Sequence, residues 1–156
     1  MRRRRIFILA ALMAGCMWAM STARVQAQST VYFFFDMRLK NPSYTFQVNG
    51  EDAFVLTGEA CEGTLEGFYN MMARKVIFQH PDNYLISTDM PFRGMNYHAD
   101  VHLSLEDGET YYVLCNGNFK RNFYMEEVSA KEGKKLLKKA QKKKKYTFDE
   151  DFIYDK

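Results

Sequence analysis

The stretch TVYFFFDMRLK, residues 30–40, decides the fold. Apolar side chains occupy every second position in it: Val31, Phe33, Phe35, Met37, Leu39. A period of two places such a set on one face of a β-strand, because successive side chains point to opposite sides of the pleat. The stretch therefore predicts a strand with one apolar face directed inward and one mixed face directed outward.

The same alternation recurs along the chain, with turn residues between the repeats. Asn49-Gly50 is a strong hairpin signal, because both residues tolerate a positive φ. We predict a loop over 90–96, which contains Pro91 and Gly94. Three glycines favour a loop over 58–73 as well, with a short helical turn over residues 65–72 as the alternative. The remaining predicted strands cover 44–48, 52–57, 74–79, 84–88, 97–105, 109–115 and 119–128. About eight short strands predict an all-β fold, an antiparallel β-sandwich over residues 28–128.

One helix is predicted after the strands, over residues 129–145. Ser129 and Glu132 have the spacing of a capping box, which satisfies free amides at a helix start. Leu136, Leu137 and Ala140 form a narrow apolar stripe that can pack on the sandwich. Lysines fill most other positions, and residues 146–156 form an acidic tail.

The first 27 residues have the pattern of a cleavable signal peptide. Arginines at positions 2–5 precede an apolar run over residues 6–20, which is shorter than the roughly 20 residues of a membrane span. Val25 and Ala27 fit the small-residue pattern of a signal peptidase site, so we expect cleavage between Ala27 and Gln28. The location implied is secreted or periplasmic. A second route is open, because residues 13–16 resemble a lipobox, and lipidation of Cys16 would make a membrane-tethered lipoprotein.

Removal of the signal changes the charge of the protein. The whole chain has 22 basic and 19 acidic residues, and five of the basic ones lie in the signal, so the mature chain carries 17 − 19 = −2. Residues 28–130 hold seven basic and fourteen acidic residues, a net of −7, whereas residues 131–145 hold nine lysines and one glutamate, a net of +8. The mature chain is therefore a charge dipole.

His98, Asp100 and His102 are the sharpest candidate site. At i, i+2 and i+4 they share one face of a strand, and two imidazoles with a carboxylate can bind zinc or another divalent metal. If Asp107-Gly108 is a two-residue hairpin turn, Asp100 lies opposite Cys115. The competing interpretation is the solvent-facing side of an amphipathic strand, since same-face neighbours are about 6.5 Å apart.

Other candidate chemistry is sparse. Cys61 and Cys115 remain after cleavage and either form one disulfide in an oxidising compartment or stay separate thiols. We find no catalytic or cofactor motif, so no cofactor is expected. The lysine-rich helix offers a contact to an anionic surface, or else is neutralised by the acidic body or tail. Nucleic acid is not expected as a partner, because aromatic residues are not interleaved with the lysines.

One block of the sequence resembles a known family. The motifs are LSLEDGETYYV at 103–113, MEEV at 125–128 and EGKKLL at 132–137, with FQVNG at 46–50 as a weaker match. They are similar to the bacterial family called domain of unknown function 2846, strongest over residues 101–137. The resemblance implies an exported, often envelope-attached β-sandwich and carries over no catalytic residue. Together these features predict a binding or envelope-associated module that takes a protein or small-molecule ligand, with a metal-binding protein or metal-dependent enzyme as the alternative.

Overall fold

The computed structural model describes residues 28–38, 40–61, 68–92, 94–118, 122–142 and 145–156. The predicted signal peptide, residues 1–27, lies outside the described residues, and with it Cys16 and Ala27. Within them, no helix is both long enough and apolar enough to cross a membrane.

Ten strands in the described residues form two sheets, and one helix lies between the eighth and ninth strands in chain order. The large sheet has the order β10-β4-β1-β7-β8, with β9 also paired to β4, and the small sheet has the order β3-β2-β5-β6. The strands are β1 Ser29–Phe35, β2 Ser43–Val48, β3 Glu51–Thr57, β4 Met71–Phe78, β5 Asn83–Phe92, β6 Met95–Ser104, β7 Thr110–Asn118, β8 Asn122–Glu127, β9 Tyr146–Phe148 and β10 Phe152–Tyr154; the helix, α1, is Ala130–Gln141. The predicted all-β sandwich with a C-terminal helix is confirmed, but it is not purely antiparallel. In the large sheet, β1 pairs with β7 in parallel, and β4 pairs with β9 and β10 in parallel.

The core lies between the two sheets and is rich in phenylalanine. Phe33 of β1 packs against Phe46 of β2 and Phe54 of β3, with ring centroids 5.4 and 4.9 Å apart. Tilted aromatic pairs at this separation add to the free energy gained by burying the rings. The inward face predicted for residues 30–40 is thus correct for Val31, Phe33 and Phe35, although β1 ends at Phe35 and Leu39 lies outside the described residues.

The other face of β1 differs from the prediction. Phe34 is fully buried in a second apolar cluster, where it lies with Leu114, Leu136 and Tyr146. Helix α1 covers this face of the large sheet, so a face predicted to be outward is a helix–sheet interface. The approach is close: a Cβ on Gly133 would lie 2.0 Å from Cγ of Tyr112, so only glycine fits.

Both hairpins of the small sheet can be compared with the prediction. The Asn49-Gly50 hairpin is confirmed, with φ of 52° and 84° at its two residues. The loop predicted over 90–96 is wrong, because β5 and β6 form a long hairpin that pairs Pro91 with Asn96. Pro91 is tolerated there because β2 pairs with β5 only at Ile86 to Thr88, which leaves the backbone at Pro91 without a ladder partner on that side.

The turn at Asp107-Gly108 does not make a hairpin. It carries the chain from the small sheet, where β6 pairs with β5, to the large sheet, where β7 pairs with β1 and β8. The amide of Gly108 donates to the carbonyl of Gln28, at the start of β1, instead of closing a ladder between β6 and β7. The predicted pairing of Asp100 with Cys115 is therefore wrong.

The chain after the helix is also part of the sandwich. Helix α1 ends at Gln141 and not at residue 145, and the acidic tail forms β9 and β10, which lie one after the other along β4. The loop predicted over 58–73 is likewise too long, since β4 begins at Met71. Strands β9 and β10 raise the number of strands from the predicted eight to ten. The Ser129 cap is confirmed, with its side chain accepting from the amide of Glu132.

Candidate functional site

His98, Asp100 and His102 lie on the outer face of the small sheet. Their side chains are exposed and alternate with buried Ala99 and Leu103 along β6. The pairing with β5 places His98 opposite Asp89, Asp100 opposite Ser87 and His102 opposite Leu85. The solvent-facing interpretation of this strand is therefore correct, and Asp89, which sequence reasoning missed, joins the group.

Asp89 and His98 form the closest polar contact on this face. Nδ1 of His98 donates to Oδ1 of Asp89 at 2.7 Å, and Nε2 lies 3.9 Å from Oδ2 of Asp100. Both ring nitrogens thus face carboxylates. Among the described residues, no group of three or more His, Cys, Asp or Glu side chains could hold a metal ion. Metal binding by His98, Asp100 and His102 stays a prediction.

A second polar pair lies beside the first on the same face. The amide Nε2 of Gln47 donates to Oδ1 of Asp52 at 2.9 Å. The register places Gln47 of β2 opposite both Asp52 of β3 and Ser87 of β5, and Ser87 opposite Asp100 of β6. A polar row therefore crosses all four strands of the small sheet.

A surface pocket opens where β2 and β5 separate. The two strands pair from Phe46 to Val48, but the first half of β2 pairs with β3 alone and the last residues of β5 pair with β6 alone. In the gap, Oγ1 of Thr88 donates to the carbonyl of Thr45 at 2.7 Å in place of a backbone bond. The pocket has a volume of about 210 Å³, and its polar wall is formed by Asn41, Ser43, Thr45, Gln47, Asp52 and Asp89.

The pocket is rich in hydrogen-bond acceptors. Asp52 and Asp89 supply carboxylates, and none of the described residues that line it is lysine or arginine. Tyr44, which is almost fully buried, also lines it. Burial raises the pKa of Tyr44 to about 12, while hydrogen bonds with Asn41 act in the opposite direction. The phenol therefore stays neutral at ordinary pH.

Cys61 and Cys115 are both free thiols, which corrects the option of a disulfide between them. Cys115 is fully buried in the core, and burial raises the pKa of its thiol far above the ordinary value. Cys61 is half-buried, and its sulfur donates to Oδ1 of Asn70 at 3.3 Å. Their different positions in the fold match the alternative of two separate thiols.

Comparison with known proteins gave no match for this chain, whether to protein-family models, to curated proteins or to solved structures. The resemblance to the family of domain of unknown function 2846 stays a prediction. The site must be interpreted from its own geometry.

Proposed function

We propose that this protein is an exported β-sandwich module that binds a small ligand on the outer face of the small sheet. The observation that carries the proposal is the pocket between β2 and β5, which is formed by a separation of two strands and lined by convergent polar side chains. A few polar groups that rigid strands hold in a concave site can fix the orientation of a bound small molecule.

The chemistry of the wall favours a ligand that donates hydrogen bonds. Ionised Asp52 and Asp89 only accept, and the hydroxyls of Ser43 and Thr45 can also accept. An anionic ligand would meet two carboxylates and no cationic side chain from the described lining residues. A small organic amine satisfies the wall best, because its ammonium group donates several charge-assisted hydrogen bonds.

His98 positions one of the two carboxylates of the pocket. In this site Nδ1 donates to Asp89, and Nε2 faces the carboxylate of Asp100 at 3.9 Å. The imidazole therefore holds Asp89 in position at the edge of the pocket.

The start of the fold supports the proposed export. Strand β1 begins at Ser29, two residues after the predicted cleavage site at Ala27. The backbone nitrogen of Gln28 lies 3.0 Å from Oδ1 of Asp107. Cleavage before Gln28 would turn this nitrogen into an ammonium group beside a carboxylate, a charge-assisted contact that favours the cleaved form.

The ligand proposal is tested by nuclear magnetic resonance titration with ethanolamine, spermidine, glucose and inorganic phosphate. We expect the amines to shift the amide signals of Thr45, Gln47 and Asp89, with phosphate inactive. The substitution Asp89→Asn should weaken amine binding, as measured by the titration, at least tenfold. Ser104→Ala, on the same face but outside the pocket, should leave the affinity unchanged. The proposal is contradicted if Asp89→Asn leaves the amine-induced shifts unchanged, or if no amine shifts these signals.

The export proposal is tested by mass spectrometry of the protein recovered from fractionated cells that express the full chain. A product that begins at Gln28 in the soluble extracytoplasmic fraction is the expected result. A lipid-modified Cys16 would replace it by a membrane-tethered form, and an intact Met1 in the cytoplasm would contradict export.

A further inference from the structure

The lysines of α1 divide into those beside the helix–sheet interface and those opposite to it. Gly133, Leu136 and Ala140 are the buried positions. At 100° per residue, three lysines of α1 and the C-cap residue Lys142 lie on the opposite side of the helix, and we refer to these four as the lysine stripe. The lysine stripe consists of Lys131, Lys135, Lys138 and Lys142, all exposed.

The orientation of the lysine stripe is fixed by the packing of the helix. Gly133 contacts the ring of Tyr112 so closely that a Cβ would overlap it. Leu136 and Ala140 continue the contact along the outer face of the large sheet. The helix can therefore neither roll nor withdraw without losing this contact, and the lysine stripe points to solvent as a straight row about 16 Å long.

The acidic tail does not neutralise the lysine stripe. Its carboxylates contact the body instead: Asp151 pairs with Lys75 at 2.5 Å, and Asp155 lies 3.2 Å from His80. A third, Asp149, accepts from the amide of Thr57 at 2.6 Å. The expectation that the tail offsets the helix charge is thus not met by the contacts of the described residues.

One helix lysine does have an internal partner, and it lies outside the lysine stripe. Lys139 pairs with Asp36 at 2.7 Å and lies over the ring of Tyr146, whose hydroxyl also donates to Asp36. Among the described residues, the ion pairs include no member of the lysine stripe. Like charges three and four residues apart repel one another, and Lys131 lies at the helix end where the dipole disfavours a cation.

The geometry points to an anionic phospholipid bilayer as the partner of the lysine stripe, which would bring the protein to lie on the membrane surface with α1 against the headgroups. A straight row of mobile ammonium groups on a convex face suits many mobile phosphates, whereas it offers no groove for one folded partner. The exposed large apolar side chains of the described residues are Met95, Tyr124 and Ile153, none of them on α1, so the contact is electrostatic and does not insert.

The experiment is a vesicle co-sedimentation assay with the processed protein that begins at Gln28, recovered from cells that express the full chain, and every variant carries Cys16→Ser so that no lipid can be attached. Vesicles contain about 70% phosphatidylcholine and 30% phosphatidylglycerol, with pure phosphatidylcholine as the uncharged reference. We expect binding to the anionic vesicles only, and a fall of at least tenfold when salt is raised from about 0.1 M to about 0.5 M.

The decisive comparison uses two double variants that change the net charge equally. Lys135→Gln with Lys138→Gln removes half of the lysine stripe and should lower the partition coefficient roughly tenfold or more. Lys75→Gln with Lys156→Gln removes two lysines that pair with Asp151 and Glu51 on the body, and should change it less than twofold. Equal losses from both variants, or binding that survives high salt, would overturn the proposal, as would capture by heparin or DNA without any binding to the anionic vesicles.

Discussion

The two outer faces of the sandwich differ in what covers them. The large sheet presents Phe34, Leu114 and Tyr112 outward, and helix α1 buries them. The small sheet presents Gln47, His98 and Asp100 outward, and they remain open. The difference follows from the strands, because a strand that is apolar on both faces needs a cover on each, while a strand with strict alternation needs only one. One outer face is therefore structural, and the other is available for a ligand.

The largest expected effect tests whether the covered face stabilises the fold. Phe34→Ala removes a fully buried ring from the helix–sheet interface and should lower the free energy of unfolding by about 3–5 kcal/mol. Asp100→Ala on the open face should change it by less than about 0.5 kcal/mol. Urea unfolding curves of both variants provide the measurement. Similar values for the two would remove the distinction between the faces.

A second substitution tests the closeness of the helix to the large sheet. Gly133→Val must displace Tyr112 or lift the helix, and we expect a loss of about 2–3 kcal/mol. Lys134→Val places the same side chain at the next and exposed position, where nothing overlaps it, and should cost about 0.5 kcal/mol. Equal costs in thermal or urea unfolding would show that the helix does not pack where the structure has it.

The pH dependence tests the burial of Tyr44 beneath the pocket. Its folded-state pKa of about 12 lies above the ordinary value of 10.0, so the neutral phenol is favoured in the folded state. The associated stability is present below pH 10 and is lost as the pH rises from about 10 to about 12, with a magnitude of roughly 3 kcal/mol. Tyr44→Phe should flatten the decline of stability over this window. An unchanged decline would contradict the burial of the hydroxyl.

The smallest expected effect concerns metal on the open face. His98 is engaged by Asp89 and Asp100, and the described residues contain no cluster able to hold a metal ion. Calorimetric titration with zinc at micromolar concentration should give no saturable heat, and a chelator should not change the melting temperature. Saturable binding that His98→Gln and His102→Gln both abolish would restore the metal-site hypothesis and count against the ligand proposal.

Sequence reasoning succeeded where a local pattern carries the information. The period of two gave the inward face of β1, Asn49-Gly50 gave a hairpin with positive φ at both residues, and Ser129 gave the start of α1. Each of these features depends on residues within about one turn or one strand of each other. Composition and alternation were therefore enough to predict a β-sandwich with a C-terminal helix.

Prediction failed where the outcome depends on distant parts of the chain. Asp107-Gly108 has the local chemistry of a hairpin turn, but the bond from Gly108 to Gln28 makes it a crossing between sheets. Strands β9 and β10 have three residues each, too few to show a period, and β4 provides their pairing. Asp89 was missed because Pro91 and Gly94 are typical of a loop, whereas the structure continues β5 through this segment. The pocket was missed because only the pairing of β2 with β5 shows where the two strands separate.

The most direct test of a division between the two faces is a nuclear magnetic resonance measurement on nanodiscs that contain anionic phospholipid, with a water-soluble paramagnetic agent added. If the lysine stripe lies on the bilayer and the pocket faces the solvent, amide signals of α1 should lose their paramagnetic broadening, while those of Ser87, Asp89 and His98 should keep it. Protection of the small sheet with α1 still accessible, or equal broadening on both faces, would contradict the account.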